Sequence, residues 1–295
     1  KMASISLELT TLLGALVIFA FAALRRLRKA KTALLRADSD NFPPPFLWSQ
    51  QEPKAAQRAA VVAASGHVRL KASPPLPATT MRRRARRFFD LMAMRRSLRF
   101  FAPTPIPSGV VEKCIETASS APSGAHKQPW RFVLVDSASK RREIRALVEA
   151  EEHINYKKRM RQTWVDDCLK VVGDLHGSED IQKPYLSTAP QLLVVFKETY
   201  GVSSVDGARS ENYYVQESCG IAVGLLIAAL QNVGIATLTS TPMGAEKSIR
   251  AICGRGANEK VFLLMPLGFP AKDATVPYRA PGALRLPLSE VLTRV

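Results

Sequence analysis

The stretch Arg95-Arg96-Ser97-Leu98-Arg99 sets three guanidinium groups and a hydroxyl side by side. Arginine forks bind phosphate oxygens in bidentate pairs, so this cluster suits a phosphate cradle. A solvated basic turn, or a charge cluster closing a helix, would have the same composition. Ala121-Pro122-Ser123-Gly124-Ala125-His126 is a second cluster. Its small side chains form a tight turn whose backbone amides can approach a flat ligand, although an ordinary turn reads the same way. Glu152 and Tyr156 stand four apart on a helical stretch and share one face, where a carboxylate and a phenol together can hold an ammonium group. Lys183, in a loop further on, is the complementary cation for a carboxylate; plain surface charge is the alternative for each of the three. Thr239-Ser240-Thr241-Pro242 closes a strand with three hydroxyls, where binding groups gather and where Ser and Thr also form turns.

Other chemistries lack their parts. The chain has no H-E-x-x-H, no G-x-x-x-x-G-K-[ST] and no C-x-x-C, and its 4 histidines show no ligand spacing, so no metal site is expected. The 4 cysteines are too sparse for a disulfide framework and suit a reducing compartment. Gly220 and Gly224 form a G-x-x-x-G that permits close helix packing.

The hydrophobic pattern specifies what must hold these clusters. Phe88, Phe89, Leu91 and Met92 make a helical stripe ending near Arg95, and a second helix opens after Pro107-Ser108 with Val110, Val111, Cys114, Ile115 and Ala118 inward. Residues 130–135, 191–196, 235–239 and 261–269 read as strands, and 137–170 as charged helix. A long helix is expected over 211–233, apolar all round from Cys219 to Leu230, which requires burial by the core or by a second subunit. Helices and strands alternate irregularly, with no G-x-G-x-x-G, which indicates an α+β fold and disfavours a Rossmann domain.

Composition is ordinary for a globular protein, at 46% hydrophobic and 23% charged. The net charge of +17 suggests nucleic acid, but residues 1–90 hold 16 Lys+Arg against 5 Asp+Glu, leaving only +6 on the rest. The excess sits in tracts 25–31 and 82–87, and no nucleic-acid partner is expected. No charged residue occurs from Leu9 to Leu24, and a basic cluster follows directly. By the positive-inside rule this reads as a single-pass membrane anchor over 1–37 with the rest cytosolic; a cleaved signal is the alternative, although its positive charge would stand ahead of the apolar run. The Pro- and Ala-rich stretch 38–83 reads as a linker, and 84–295 as the folded body.

In combination and order, the clusters resemble the flavin-dependent nitroreductase superfamily, and within it the iodotyrosine deiodinases. The resemblance covers residue 84 to the C-terminus and rests on R-R-S-L-R-F (95–100), A-P-S-G-A-H-K-Q-P-W (121–130), E-E-H-I-N-Y (151–156), T-S-T-P (239–242) and K-D-A-T-V-P (272–277). It implies a nitroreductase-like fold, a mixed β-sheet surrounded by helices, and an intertwined homodimer with active sites at its interface. It also implies FMN as cofactor. Carried over, Arg95, Arg96, Ser97, Arg99 and Arg285 hold the phosphate and ribityl chain. Pro122, Ser123 and Gly124 line the flavin; Thr239, Ser240 and Thr241 approach its ring, with Thr241 the catalytic hydroxyl donating toward N5. Glu152, Tyr156 and Lys183 clamp the amino-acid end of a halotyrosine, and Ala125 meets its phenolate through the backbone. The implied reaction is reductive dehalogenation of mono- and diiodotyrosine to tyrosine and halide, with electrons from NADPH through a separate reductase. A general FMN nitroreductase or quinone reductase would keep the arginine and P-S-G clusters without needing the trio, and a non-enzymatic membrane-tethered protein would keep the fold alone. The Arg-rich tract 82–87 and the 38–80 stretch match no feature of the family.

Overall fold

The run Gln191-Leu-Leu-Val-Val-Phe196 is apolar on both pleat faces, which suits a strand covered from two sides. The computed structural model describes residues 74–172, 182–203, 205–277 and 285–295 and places that run inside a four-stranded sheet. The strands are β1 (Trp130–Val135), β2 (Gln191–Glu198), β3 (Tyr200–Val202), β4 (Arg209–Glu211), β5 (Ala236–Thr237) and β6 (Glu259–Gly268). The main sheet has the order β1-β2-β6-β5, while β3 and β4 form a separate hairpin. Its ladders are antiparallel throughout, and the parallel pairing of the expected mixed sheet is confined to an isolated bridge between Ser97 and Thr237. The expected strand 235–239 is laddered only at Ala236–Thr237, yet Ser240 returns to pair with Leu264 in the same register.

The helices are α1 (Ala78–Ala93), α2 (Val110–Ser119), α3 (Ala138–Ile154), α4 (Gln162–Val172), α5 (Tyr185–Thr188), α6 (Val215–Asn232), α7 (Glu246–Ile252) and α8 (Leu288–Val291). They cover both sheet faces, and the period of two along β2 shows how. Leu193 and Val195 pack with Val111, Cys114 and Ala118 of α2 and Val223, Leu226 and Leu230 of α6. Leu192, Val194 and Phe196 pack with Ile144 and Val148 of α3, Leu186 of α5 and Ile249 of α7.

Three element boundaries differ from the sequence expectation. Helix α1 begins at Ala78, directly after Pro77 and inside the stretch read as linker, because proline ends the extended segment and a helix can start behind it. It buries no residue, and Phe88 and Phe89 are exposed. The long helix starts at Val215, not 211: Glu211 belongs to β4, and Tyr214 turns the chain through the left-handed region at φ 47°. Residues 137–170 are two helices, separated by a π turn over Asn155–Arg159.

The outer face of α6 exposes Gly220, Ile221, Gly224 and Leu225. The chain divides into two compact units, Lys1–Met81 and Arg82–Val295, and the sheet with its flanking clusters belongs to the second. The expected anchor over 1–37 and the linker up to residue 73 lie outside the described residues. Among the described residues no helix is long and apolar enough to cross a membrane.

Candidate active site

The arginine cluster begins where α1 stops, with the Arg95 amide donating to the Met92 carbonyl at 3.2 Å. The chain then runs along the outside of β5. Leu98 N–H donates to Thr237 O at 3.2 Å and Ala102 N–H to Phe269 O at 2.8 Å. Leu98 and Phe101 are buried in the core, which fixes the register of the polar residues between and beside them. Arg96 donates to the carbonyl of Pro277, at the end of the K-D-A-T-V-P segment. The Arg99 Nε is buried and lacks a hydrogen-bond partner among the described residues. A buried guanidinium nitrogen without an acceptor costs about 1–3 kcal/mol or more, a cost an anion bound there would remove.

The Pro122–Gly124 turn lies at the opposite edge of the sheet, ahead of β1. Ser123 Oγ accepts from the Gln128 amide at 2.9 Å, and the Gly124 amide donates to Ser218 Oγ of α6 at 3.4 Å. A methyl group on Gly124 would lie 2.8 Å from the Tyr213 carbonyl oxygen, so only glycine fits between this turn and the start of α6. Ala125, His126 and Gln128 all have positive φ, at 46°, 55° and 48°. Left-handed backbone at three non-glycine residues is costly, and such outliers gather at binding sites.

Thr239, Ser240 and Thr241 continue from β5. Ser240 is held by two backbone bonds with Leu264, at 2.9 and 2.8 Å. Thr239 and Thr241 flank it and are exposed, as alternation along extended chain requires.

The acid, phenol and amine come together as the sequence anticipates. Lys183 Nζ lies 3.3 Å from Glu152 Oε1, with side chains only 14% and 12% exposed. A second contact seats this loop: the Lys183 amide donates to Glu149 Oε1, which also pairs with Arg145. Burial pushes the Tyr156 phenol well above its ordinary value, and the neighbouring Cys168 and Glu152 add to the shift. Its proximity to Glu152 places all three groups in one shielded patch.

Two features escaped the sequence. A π turn over Asn155–Arg159 takes in Tyr156 directly after the α-helix that carries Glu152, a distortion frequent at functional sites. Within it Asn155 is fully buried, and its Nδ2 donates to the Met243 carbonyl at 2.7 Å, joining the Glu152–Tyr156 segment to the turn after Thr241. Nothing in the run E-E-H-I-N-Y distinguishes Asn155 from a solvated helical asparagine. Arg285 is exposed at the head of the C-terminal segment, and among the described residues no hydrogen bond or ion pair ties it to Arg95–Arg99.

The arginine cluster and the P-S-G turn sit apart in a single chain. Ser97 lies outside β5 and the P-S-G turn precedes β1, so four strand spacings, about 19 Å, separate them across the sheet.

Comparison with known proteins converges on one family. Residues 92–269 match the model of the Nitroreductase family. The chain is 44% identical over 194 residues to an iodotyrosine deiodinase of Danio rerio, covering 66% of this chain and 63% of that one. It is 42% identical over 214 residues to an iodotyrosine deiodinase of Hydra vulgaris, covering 72% and 75%. To iodotyrosine deiodinase 1 of Homo sapiens it is 40% identical over 219 residues, covering 74% and 72%. Among solved structures, oxidized iodotyrosine deiodinase bound to FMN and 3-iodo-L-tyrosine superposes with a TM-score of 0.53 at 27% identity, over 65% of this chain and 93% of that one.

Proposed function

The chain belongs to the nitroreductase family, among the iodotyrosine deiodinases, and from that premise we propose that it removes halide reductively from mono- and diiodotyrosine with FMN as cofactor. The observation that carries this reading is the shielded Glu152–Lys183 pair beside Tyr156. A nitroaromatic or a quinone has no use for an acid and an amine held 3.3 Å apart under cover; an amino-acid zwitterion does.

The residues fit FMN. Arg99, two residues beyond Ser97, has a buried Nε without a partner among the described residues, and a guanidinium with a hydroxyl is a donor set that suits a phosphate monoester. Arg95, Arg96, Ser97 and Arg99 would hold that phosphate and the chain beside it, Pro122, Ser123 and Gly124 would line the ring, and Thr239, Ser240 and Thr241 would approach it from the other side, with Arg285 as a further phosphate contact. When bound, FMN supplies the reducing equivalents that expel halide from the substrate ring.

The protein's own contribution is selection and placement. In the free clamp Glu152 and Lys183 satisfy one another, so an incoming zwitterion exchanges one neutral pair for two. Its ammonium takes Glu152 and its carboxylate takes Lys183, and neither protein charge is ever left alone in a shielded site. Tyr156 remains a neutral phenol because burial resists ionisation, which keeps its O–H available as a donor and adds no second negative charge beside Glu152. The Ala125 amide would meet the substrate phenolate, the form that iodine favours by lowering the phenol pKa. Thr241, exposed after the Ser240 anchor, would donate to the flavin edge.

Within one chain the arginine cluster and the P-S-G turn occupy opposite sheet edges. An intertwined homodimer would join one protomer's arginines to its partner's turn. The exposed Gly220, Ile221, Gly224 and Leu225 face of α6 is suited to that contact. The apolar run 9–24 with its basic flank supports a membrane tether and a cytosolic catalytic body, and an NADPH-dependent reductase would supply the electrons.

Dithionite-reduced, FMN-loaded protein should release iodide from diiodotyrosine and turn over nitroaromatics poorly. Brisk nitro reduction without iodide release would replace this reading with a general nitroreductase.

A further inference from the structure

Resting on that reading, we propose that Asn155 is a positioning residue, a latch that fixes the substrate clamp against the hydroxyl-bearing segment Thr239–Gly244. Asn155 lies between the clamp residues Glu152 and Tyr156 in the π turn and is fully buried. Both ends of its amide are used. Nδ2 donates to the Met243 carbonyl at 2.7 Å, two residues beyond Thr241, and Oδ1 accepts from Arg159 Nη1 at 3.0 Å. Arg159 Nη1 also donates to Glu151 Oε2 at 2.7 Å. The Glu151 and Arg159 head groups lie over Gly244, where any Cβ would collide with both, and Gly244 takes a φ of 96° that glycine alone adopts freely. The end of the clamp helix thus closes on one turn, through a buried amide and a covering ion pair.

The arrangement has a mechanical consequence. Met243 N–H donates back to Thr241 O at 3.0 Å, so the Met243 carbonyl that Asn155 grips belongs to the same short turn as the Thr241 main chain. Ser240 holds the other end against β6. Seating Glu152 and Tyr156 on a ligand therefore fixes Thr241, and slack in Asn155 frees both. Packing alone does not explain the residue, because an apolar side chain would fill the space without leaving the Met243 carbonyl satisfied.

The test uses the full FMN-loaded chain with Asn155→Asp, Asn155→Ala and Arg159→Ala. Asp keeps the shape and the acceptor for Arg159 and, when ionised, cannot donate to Met243, while Ala removes donor and acceptor together; Arg159 is partly exposed, and its removal should leave the fold intact. Amide hydrogen exchange of residues 239–246 is measured first without substrate. Asn155→Asp and Asn155→Ala should speed it at least tenfold and Arg159→Ala by less, with FMN still bound. Iodide release under dithionite should then show a fall in kcat of at least tenfold at saturating diiodotyrosine for both Asn155 variants, beyond any rise in KM. Exchange and kcat at the wild-type level in Asn155→Ala, whose side chain cannot donate in any protonation state, would overturn the latch. Should the Asn155 variants not fold, unchanged exchange in Arg159→Ala overturns it equally. A wild-type protein that neither binds nor dehalogenates diiodotyrosine would sink the functional reading instead, and the substrate-free exchange still decides whether the latch exists.

Discussion

The arginine segment and the Glu152–Tyr156–Lys183 trio are built on opposite plans. Arg95–Arg99 gathers its charges within five consecutive residues, and the backbone hydrogen bonds of an irregular edge strand hold them in line. The trio draws Glu152 and Tyr156 from one end of a long helix and Lys183 from a loop that leads into α5, joined by the Glu152–Lys183 ion pair and by the Lys183 amide on Glu149. On the proposed reading, a contiguous cradle would grip an anion that never has to leave, and an assembled clamp would exchange its internal pair for a ligand and re-form when that ligand departs. Retention of a cofactor and turnover of a substrate would make those different demands.

The contrast predicts that damage to the cradle is felt by FMN and damage to the clamp by the amino acid. Arg99→Ala should show the largest effect: removal of a charge-assisted contact worth about 3 kcal/mol weakens FMN binding roughly 100-fold. Recovery of flavin fluorescence on dilution measures it, and full retention of FMN would remove Arg99 from the cradle. Next, Glu152→Gln should weaken iodotyrosine binding at least about tenfold, roughly 1.4 kcal/mol, with one FMN per subunit retained. Quenching of flavin fluorescence by the substrate reports it, and an unchanged affinity means the zwitterion is held elsewhere. Gly124→Ala should cost about 1 kcal/mol of stability, read as a lower Tm, because the new methyl group meets the Tyr213 carbonyl.

The smallest effect is a test by pH. The fold raises the Tyr156 pKa, so it favours the neutral phenol; that contribution is intact below the ordinary tyrosine value of 10.0 and is lost as pH rises through the higher folded value. Ultraviolet titration of wild type and Tyr156→Phe should coincide up to that pH and part only above it. A tyrosinate signal missing from the variant at lower pH would show that Tyr156 ionises in the working range and cannot serve as a neutral donor beside Glu152.

Much of the site was legible because its clusters are local. A run of arginines, a Pro-Ser-Gly turn and an i, i+4 acid–phenol pair are visible to anyone counting residues, and β1 and α2 fall where hydrophobic periodicity puts them. The long helix was misplaced at its start, since Glu211 and the two tyrosines after it carry no signal that Tyr214 adopts a positive φ. The break inside 137–170 was hidden too, because a π turn keeps helical composition and changes only which carbonyl each amide finds.

Residue type and spacing determined the chemistry on offer: anion-binding guanidinium groups, hydroxyls at a strand end, and a carboxylate with a phenol on one helix face. Tertiary structure decided which of these groups meet. The pairing of Lys183 with Glu152 spans a gap that no periodicity bridges, and Asn155 became a latch only because α3 packs where Met243 presents a carbonyl. The placement of the arginines and the P-S-G turn at opposite edges of one sheet follows from strand order, which is settled by how buried faces pair over long range rather than by any local preference.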